Sequence, residues 1–130
     1  MRKYNGKNII VWREYTKRPA VRVAAEKIGA DVTAVNRRDY GQKIGTLAGI
    51  SGFHKDGKIY DGPDLAMEML VFSGMMPQQV DAFLAEYKVI GLPPVSLKAI
   101  VTPHNVSWTA DALFCELMKE HFQFLGNNKD

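Results

Sequence analysis

The densest run of polar side chains is Thr102-Pro103-His104-Asn105-Val106-Ser107, which follows the apolar Leu97–Val101 and precedes the amphipathic run from Trp108. A strand that ends this way and feeds a helix puts hydroxyl, imidazole and amide groups at a strand's carboxyl end. Open α/β sheets bind ligands there. Beside the free N–H groups of the following helix, this is the chemistry of an anion or polar-ligand site. Ser73 ends a second apolar segment, and Arg13, Asn36 and Arg37 follow two more. Arg13, Asn36, Arg37, Ser73, Thr102, His104 and Asn105 therefore form the candidate ligand-binding set, and they converge if the strand ends lie together. The same residue types also have an architectural use. Pro103 stops strand pairing, Asn105 or Ser107 caps the last helix, and Trp108 buries its ring in the core.

Signatures of catalysis are missing. The chain has no G-x-x-x-x-G-K-[ST] phosphate loop, no G-x-G-x-x-G after its first strand and no G-x-S-x-G elbow around Ser73. The first strand ends Trp12-Arg13-Glu14-Tyr15, without the paired acids of a magnesium-dependent phosphoacceptor site. Cys115 has no second cysteine to make C-x-x-C, and its apolar neighbours predict a buried thiol. His54, His104 and His121 make no metal-ligand spacing, so neither a metal nor another cofactor is implied. His104 has the intrinsic pKa of an acid–base catalyst, which leaves a small enzyme with a polar site there as one alternative.

These residues need a scaffold, and the pattern supplies one. Asn8–Trp12, Asp31–Val35, Glu68–Ser73 and Leu97–Thr102 read as strands. Pro19 opens a helix that Gly29 stops, and Pro77 opens another that Gly91 ends. Ser107 caps a final helix from Trp108 to about Leu125, while Asp39 and Gln42 have capping-box spacing before a short helix with Ile44 and Leu47. Residues 49–66, rich in glycine, read as an irregular loop or a small hairpin about Asp56-Gly57. Ile9–Trp12 and Met69–Phe72 are apolar without alternation, as in strands buried on both faces. The fold class is therefore α/β: a mainly parallel four-stranded sheet with helices on both faces, doubly wound in the Rossmann or flavodoxin manner. A ferredoxin-like α+β sandwich is the alternative. The 130 residues form one domain.

Charge is uneven. Residues 1–43 carry eleven Lys/Arg against four Asp/Glu, a balance of +7, and the rest of the chain has a balance of −4. A basic half that includes Tyr4, Trp12, Tyr15 and Tyr40 keeps nucleic-acid association as an alternative function, although no nucleic-acid-binding motif accompanies it. No apolar run reaches the ~18 residues of a membrane span, and the N-terminus lacks the pattern of a secretory signal. A cytoplasmic location follows, with no membrane partner. Apolar residues on the last helix (Trp108, Phe114, Phe122, Phe124 and Leu125) exceed the needs of one buried face and predict a homodimer through it. The composition favours a small non-catalytic binding or regulatory domain with a small anionic ligand.

Met69 to His121 resembles a bacterial family known only as a domain of unknown function. The matching residues include Leu70-Val71-Phe72-Ser73-Gly74, Asp81-Ala82-Phe83-Leu84 and Glu116-Leu117. The most specific part is Lys98-Ala99-x-x-Thr102-Pro103-x-Asn105-x-x-Trp108. The family has no established activity, ligand or catalytic residue, so the resemblance implies no mechanism.

Overall fold

A computed structural model describes residues 6–12 and 18–127. Four strands form one sheet: β1 (Asn8–Trp12), β2 (Asp31–Val35), β3 (Met69–Ser73) and β4 (Leu97–Ile100), in the order β2-β1-β3-β4. Helices α1 (Arg18–Lys27) and α3 (Pro77–Ile90) complete two strand–helix–strand units, while α2 (Ile44–Leu47) and α4 (Ala110–Asn127) follow β2 and β4. Each unit pairs its own strands in parallel, β1 with β2 and β3 with β4.

The apolar continuity of β1 and β3 has the predicted consequence: every residue of both strands is buried. Ile9, Val11, Leu70 and Phe72 point to the layer of α1 and α3, where Phe72 meets Phe83 edge to face at 5.5 Å. Ile10, Trp12, Met69 and Val71 point the other way, towards Tyr40, Ile44 and Leu113 in the layer of α2 and α4. The fold is thus an α/β sheet with helices on both faces. Pro77 starts α3 without wasting an N–H, Gln79 accepts the Met76 N–H at 2.7 Å, and Gly91 ends the helix at φ 91°.

The central pair departs from an all-parallel sheet, because β1 and β3 run antiparallel, with Val11 opposite Leu70 and Asn8 opposite Ser73. The cause is the connection over residues 36–68. It leaves the carboxyl end of β2 and enters β3 at the same end of the sheet, so β3 must run back. A crossover to the opposite end would have made all four strands parallel.

This connection contains no hairpin. Asp39 and Gln42 do not open a helix: a 3-10 turn spans Arg37–Asp39, and α2 starts at Ile44, after Lys43, which makes no side-chain cap. Their side chains hold the following loop instead. The Asp39 carboxylate meets Lys55 at 3.1 Å, and buried Gln42 exchanges hydrogen bonds with Asp56, donating to Oδ1 at 2.9 Å and accepting from its N–H at 3.1 Å. The Lys58 N–H and then the Gln42 amide hold the Asp56 carboxyl below its ordinary value. Tyr40 donates to Asp64 at 2.6 Å. Gly45 is bare because the Phe53 ring lies against it, 2.7 Å from where a Cβ would stand.

Candidate functional site

The antiparallel centre decides the fate of the predicted ligand set. The carboxyl ends of β1 and β2 lie at one end of the sheet, and those of β3 and β4 lie at the other. Asn36 and Arg37 therefore stand across the sheet from Ser73, Thr102, His104 and Asn105, and these six described residues do not converge. Arg13 lies outside the described residues. Asn36 is exposed, and the Arg37 guanidinium donates twice to the Gly62 carbonyl, at 2.9 and 2.5 Å, which ties down the 49–66 loop. Ser73 and Thr102 do line one open, mostly apolar depression of about 350 Å3, with Val101, Pro103 and Val106. His104 is exposed and packs edge-on against Trp108 at 5.1 Å. It borders a different depression, with Glu116 and Glu120.

Thr102 and Asn105 form a closed turn. The Thr102 N–H donates to Asn105 Oδ1 at 2.9 Å, and the Asn105 N–H donates to Thr102 Oγ1 at 3.2 Å. Asn105 Nδ2 also donates to the Ile100 carbonyl at 3.1 Å, where β4 ends. The chain then runs beside α2, with Ile44 and Gly45 donating to the carbonyls of Trp108 and Val106, both at 2.8 Å. This delays α4, which begins at Ala110 rather than Trp108. The hydroxyl that reaches its first turn belongs to Thr109, on the Ala112 N–H at 3.4 Å, and not to Ser107. Trp108 is only half-buried. Asn105→Ala would strand one N–H and one carbonyl and is expected to lower stability by about 1–3 kcal/mol. His104→Ala, at an exposed ring, is expected to stay within ~0.5 kcal/mol of the parent. Urea unfolding of both variants checks the pair, and equal losses would contradict an architectural Asn105.

A cavity of about 290 Å3 opens between the second half of α3 and the start of β4. Phe83, Leu84 and Tyr87 of α3 form one wall, Leu70 of β3 the floor, and Leu92, Pro94 and Val95 the other wall. The Tyr87 hydroxyl donates to the Pro93 carbonyl at 3.1 Å and fixes the two walls together. Its polar side chains are the Tyr87 phenol and two lysines, Lys88 and Lys98, and no acid lines it. Lys98 Nζ donates to the Val95 carbonyl at 2.6 Å, and partial burial pushes its ammonium below its ordinary value.

Lysine is out of place in an interior strand, but β4 is an edge strand, and the exposed Lys98 lines the apolar cavity beside it. A second, more open hollow of about 420 Å3 shares Leu84 and Lys98 and extends the cavity along β4 towards Thr102. The sequence reading missed this site. Its signals were Lys98 within a strand and the apolar Leu92-Pro93-Pro94-Val95 just past a helix stop, but only the strand order brings them together.

One further expectation changes. Cys115 is exposed, because Leu113 sets the buried face of α4 and Cys115 lies about 200° round the helix from it. Among the described residues, no three His, Cys, Asp or Glu side chains are grouped to hold a metal, and no helix is long and apolar enough to cross a membrane.

No curated protein and no solved structure matches the chain. One family model does match, over the segment that builds the α3–β4 cavity and most of α4: residues 68–124 are similar to the family described as Domain of unknown function (DUF3783).

Proposed function

We propose that this protein is a small non-catalytic binding domain of the cytoplasm and that its ligand occupies the α3–β4 cavity. The observation that carries this reading is the cavity itself: about 290 Å3, apolar on nearly every side, with its wall braced by the Tyr87–Pro93 hydrogen bond. Ligand sites are commonly concave, mostly apolar and pre-formed, with a few polar groups that fix orientation. The polar residues at the strand ends serve poorly as an alternative, since Thr102 and Asn105 satisfy each other and Arg37 is committed to Gly62.

The test is a thermal-shift screen of small metabolites at millimolar concentration, run on the parent and on Leu84→Trp. The tryptophan is meant to fill the cavity from the α3 side. Hits are expected to raise the parent's melting temperature, by the equivalent of about 2.7 kcal/mol at a hundred times Kd, and to leave Leu84→Trp unmoved. A screen without hits, or hits that stabilise both proteins alike, would remove the cavity from consideration.

A further inference from the structure

We infer that the α3–β4 cavity selects a monocarboxylate with a compact apolar tail, the carboxylate at Lys98 and Lys88 and the tail against Phe83, Leu84 and Leu92. This rests on the reading of the cavity as the binding site and adds the chemical class of its occupant.

Charge supplies the first argument. The lining holds two cations and no anion. Lys98 Nζ already sits on a lining carbonyl, that of Val95, so the ammonium is held at the cavity and keeps further N–H donors for an incoming oxygen. Glu116 and Glu120 border a depression with His104 and Trp108 that Lys98 also lines, but neither acid lines the cavity itself.

The choice among anions comes from the end of α3. Lys88 lies in the last turn of that helix, which stops at Gly91, so the cavity adjoins the end where helix carbonyls lack intrahelical partners. Those carbonyls oppose any anion, and a doubly charged group about twice as strongly as a singly charged one. The lining offers neither an arginine fork nor a helix amino end, the features that commonly hold phosphate. A single negative charge facing one or two ammonium groups suits the site better.

Volume bounds the tail. An apolar cavity of about 150 Å3 takes a benzene ring. The 290 Å3 here leaves room for a ring with a short methylene linker, or for a chain of similar bulk. The walls offer that tail Leu84, Leu92 and the rings of Phe83 and Tyr87.

The experiment titrates nitrogen-15-labelled protein with 4-phenylbutyrate, 4-phenylbutanol, 4-phenylbutylamine, acetate and inorganic phosphate, reading amide shifts by NMR. The acid is expected to shift the amides of Leu84, Tyr87, Val95 and Lys98 with a millimolar Kd, at least about tenfold tighter than the alcohol. The amine, acetate and phosphate are expected to bind more weakly than the alcohol. Lys98→Met is expected to bring the acid down to the alcohol's affinity and to leave the alcohol unchanged. An alcohol or amine that binds the parent as tightly as the acid would overturn the carboxylate assignment while leaving the cavity as a site. An acid preference undiminished in Lys98→Met would overturn it too. If no probe shifts the cavity amides, the binding reading itself falls.

Discussion

Replacing Trp12 with alanine is expected to lower the unfolding free energy by about 3–5 kcal/mol, the range for deleting a buried tryptophan. Trp12 is 0% exposed and is among the largest side chains wholly inside the molecule. It ends β1 on the α2–α4 side of the sheet, in the cluster that also holds Tyr40, Ile44 and Leu113. Its removal opens a cavity where three segments distant in sequence meet, and none of them can close it without leaving its other contacts. A domain of this size has only about 5–15 kcal/mol to lose. Trp108 provides the contrast, since it packs against the same cluster but is half-buried, so Trp108→Ala is expected to cost less. Urea midpoints of the two variants, with slopes unchanged, decide the order. A Trp12→Ala midpoint near that of the parent, or a larger loss from Trp108→Ala, would show that the core is centred elsewhere.

The second large effect is expected at Gly74. This residue ends β3 with φ 69°, and a Cβ there would stand 1.6 Å from the Gly6 carbonyl oxygen. Alanine therefore meets two obstacles at once. The left-handed conformation costs roughly 1–2 kcal/mol for a residue with a Cβ. The clash is with backbone, which cannot swing aside as a side chain would, and overpacking of this kind costs about 1–3 kcal/mol more. Moving Gly6 would pull on Asn8, which pairs with Ser73 in the sheet. Gly91→Ala is the control, because its φ is 91° and nothing lies within 4 Å of its Cβ position. Gly91→Ala is expected to show the conformational cost alone. Similar losses in the two variants, measured by thermal or urea unfolding, would mean that the approach of Gly6 imposes nothing.

What could be read in the residues was whatever they record locally. Asn8–Trp12 and Asp31–Val35 are strands at the predicted bounds, and Pro77 and Gly91 mark α3, because β-branched runs and helix-end residues act over a few positions. Burial of β1 and β3 on both faces was legible in their lack of alternation. Pairing direction was not, since it depends on the end at which residues 36–68 return, and no local pattern encodes that. Once β3 reversed, the strand ends holding Arg37 and Asn105 separated, and a site assembled on the assumption of convergence dissolved. The start of α4 was obscured for a different reason. Ser107 and Thr109 are both competent caps, and only the Thr102–Asn105 turn places Thr109 at the first free N–H groups. The cavity lay beyond reach because Lys98 is an anomaly only until β4 is known to be an edge strand.

The reversal at β3 also shapes the electric field of the molecule. In an all-parallel sheet the helices that follow the strands start at one end, and their macrodipoles add to a common positive rim. Here α1 leaves the carboxyl end of β1 and α3 leaves the carboxyl end of β3, which point in opposite directions. The two packed helices therefore set their dipoles roughly antiparallel, so within the α1–α3 layer their fields largely cancel. In that layer the attraction of an anion must then come from side-chain charge, which is short in range and screened by salt over about 10 Å at 0.1 M.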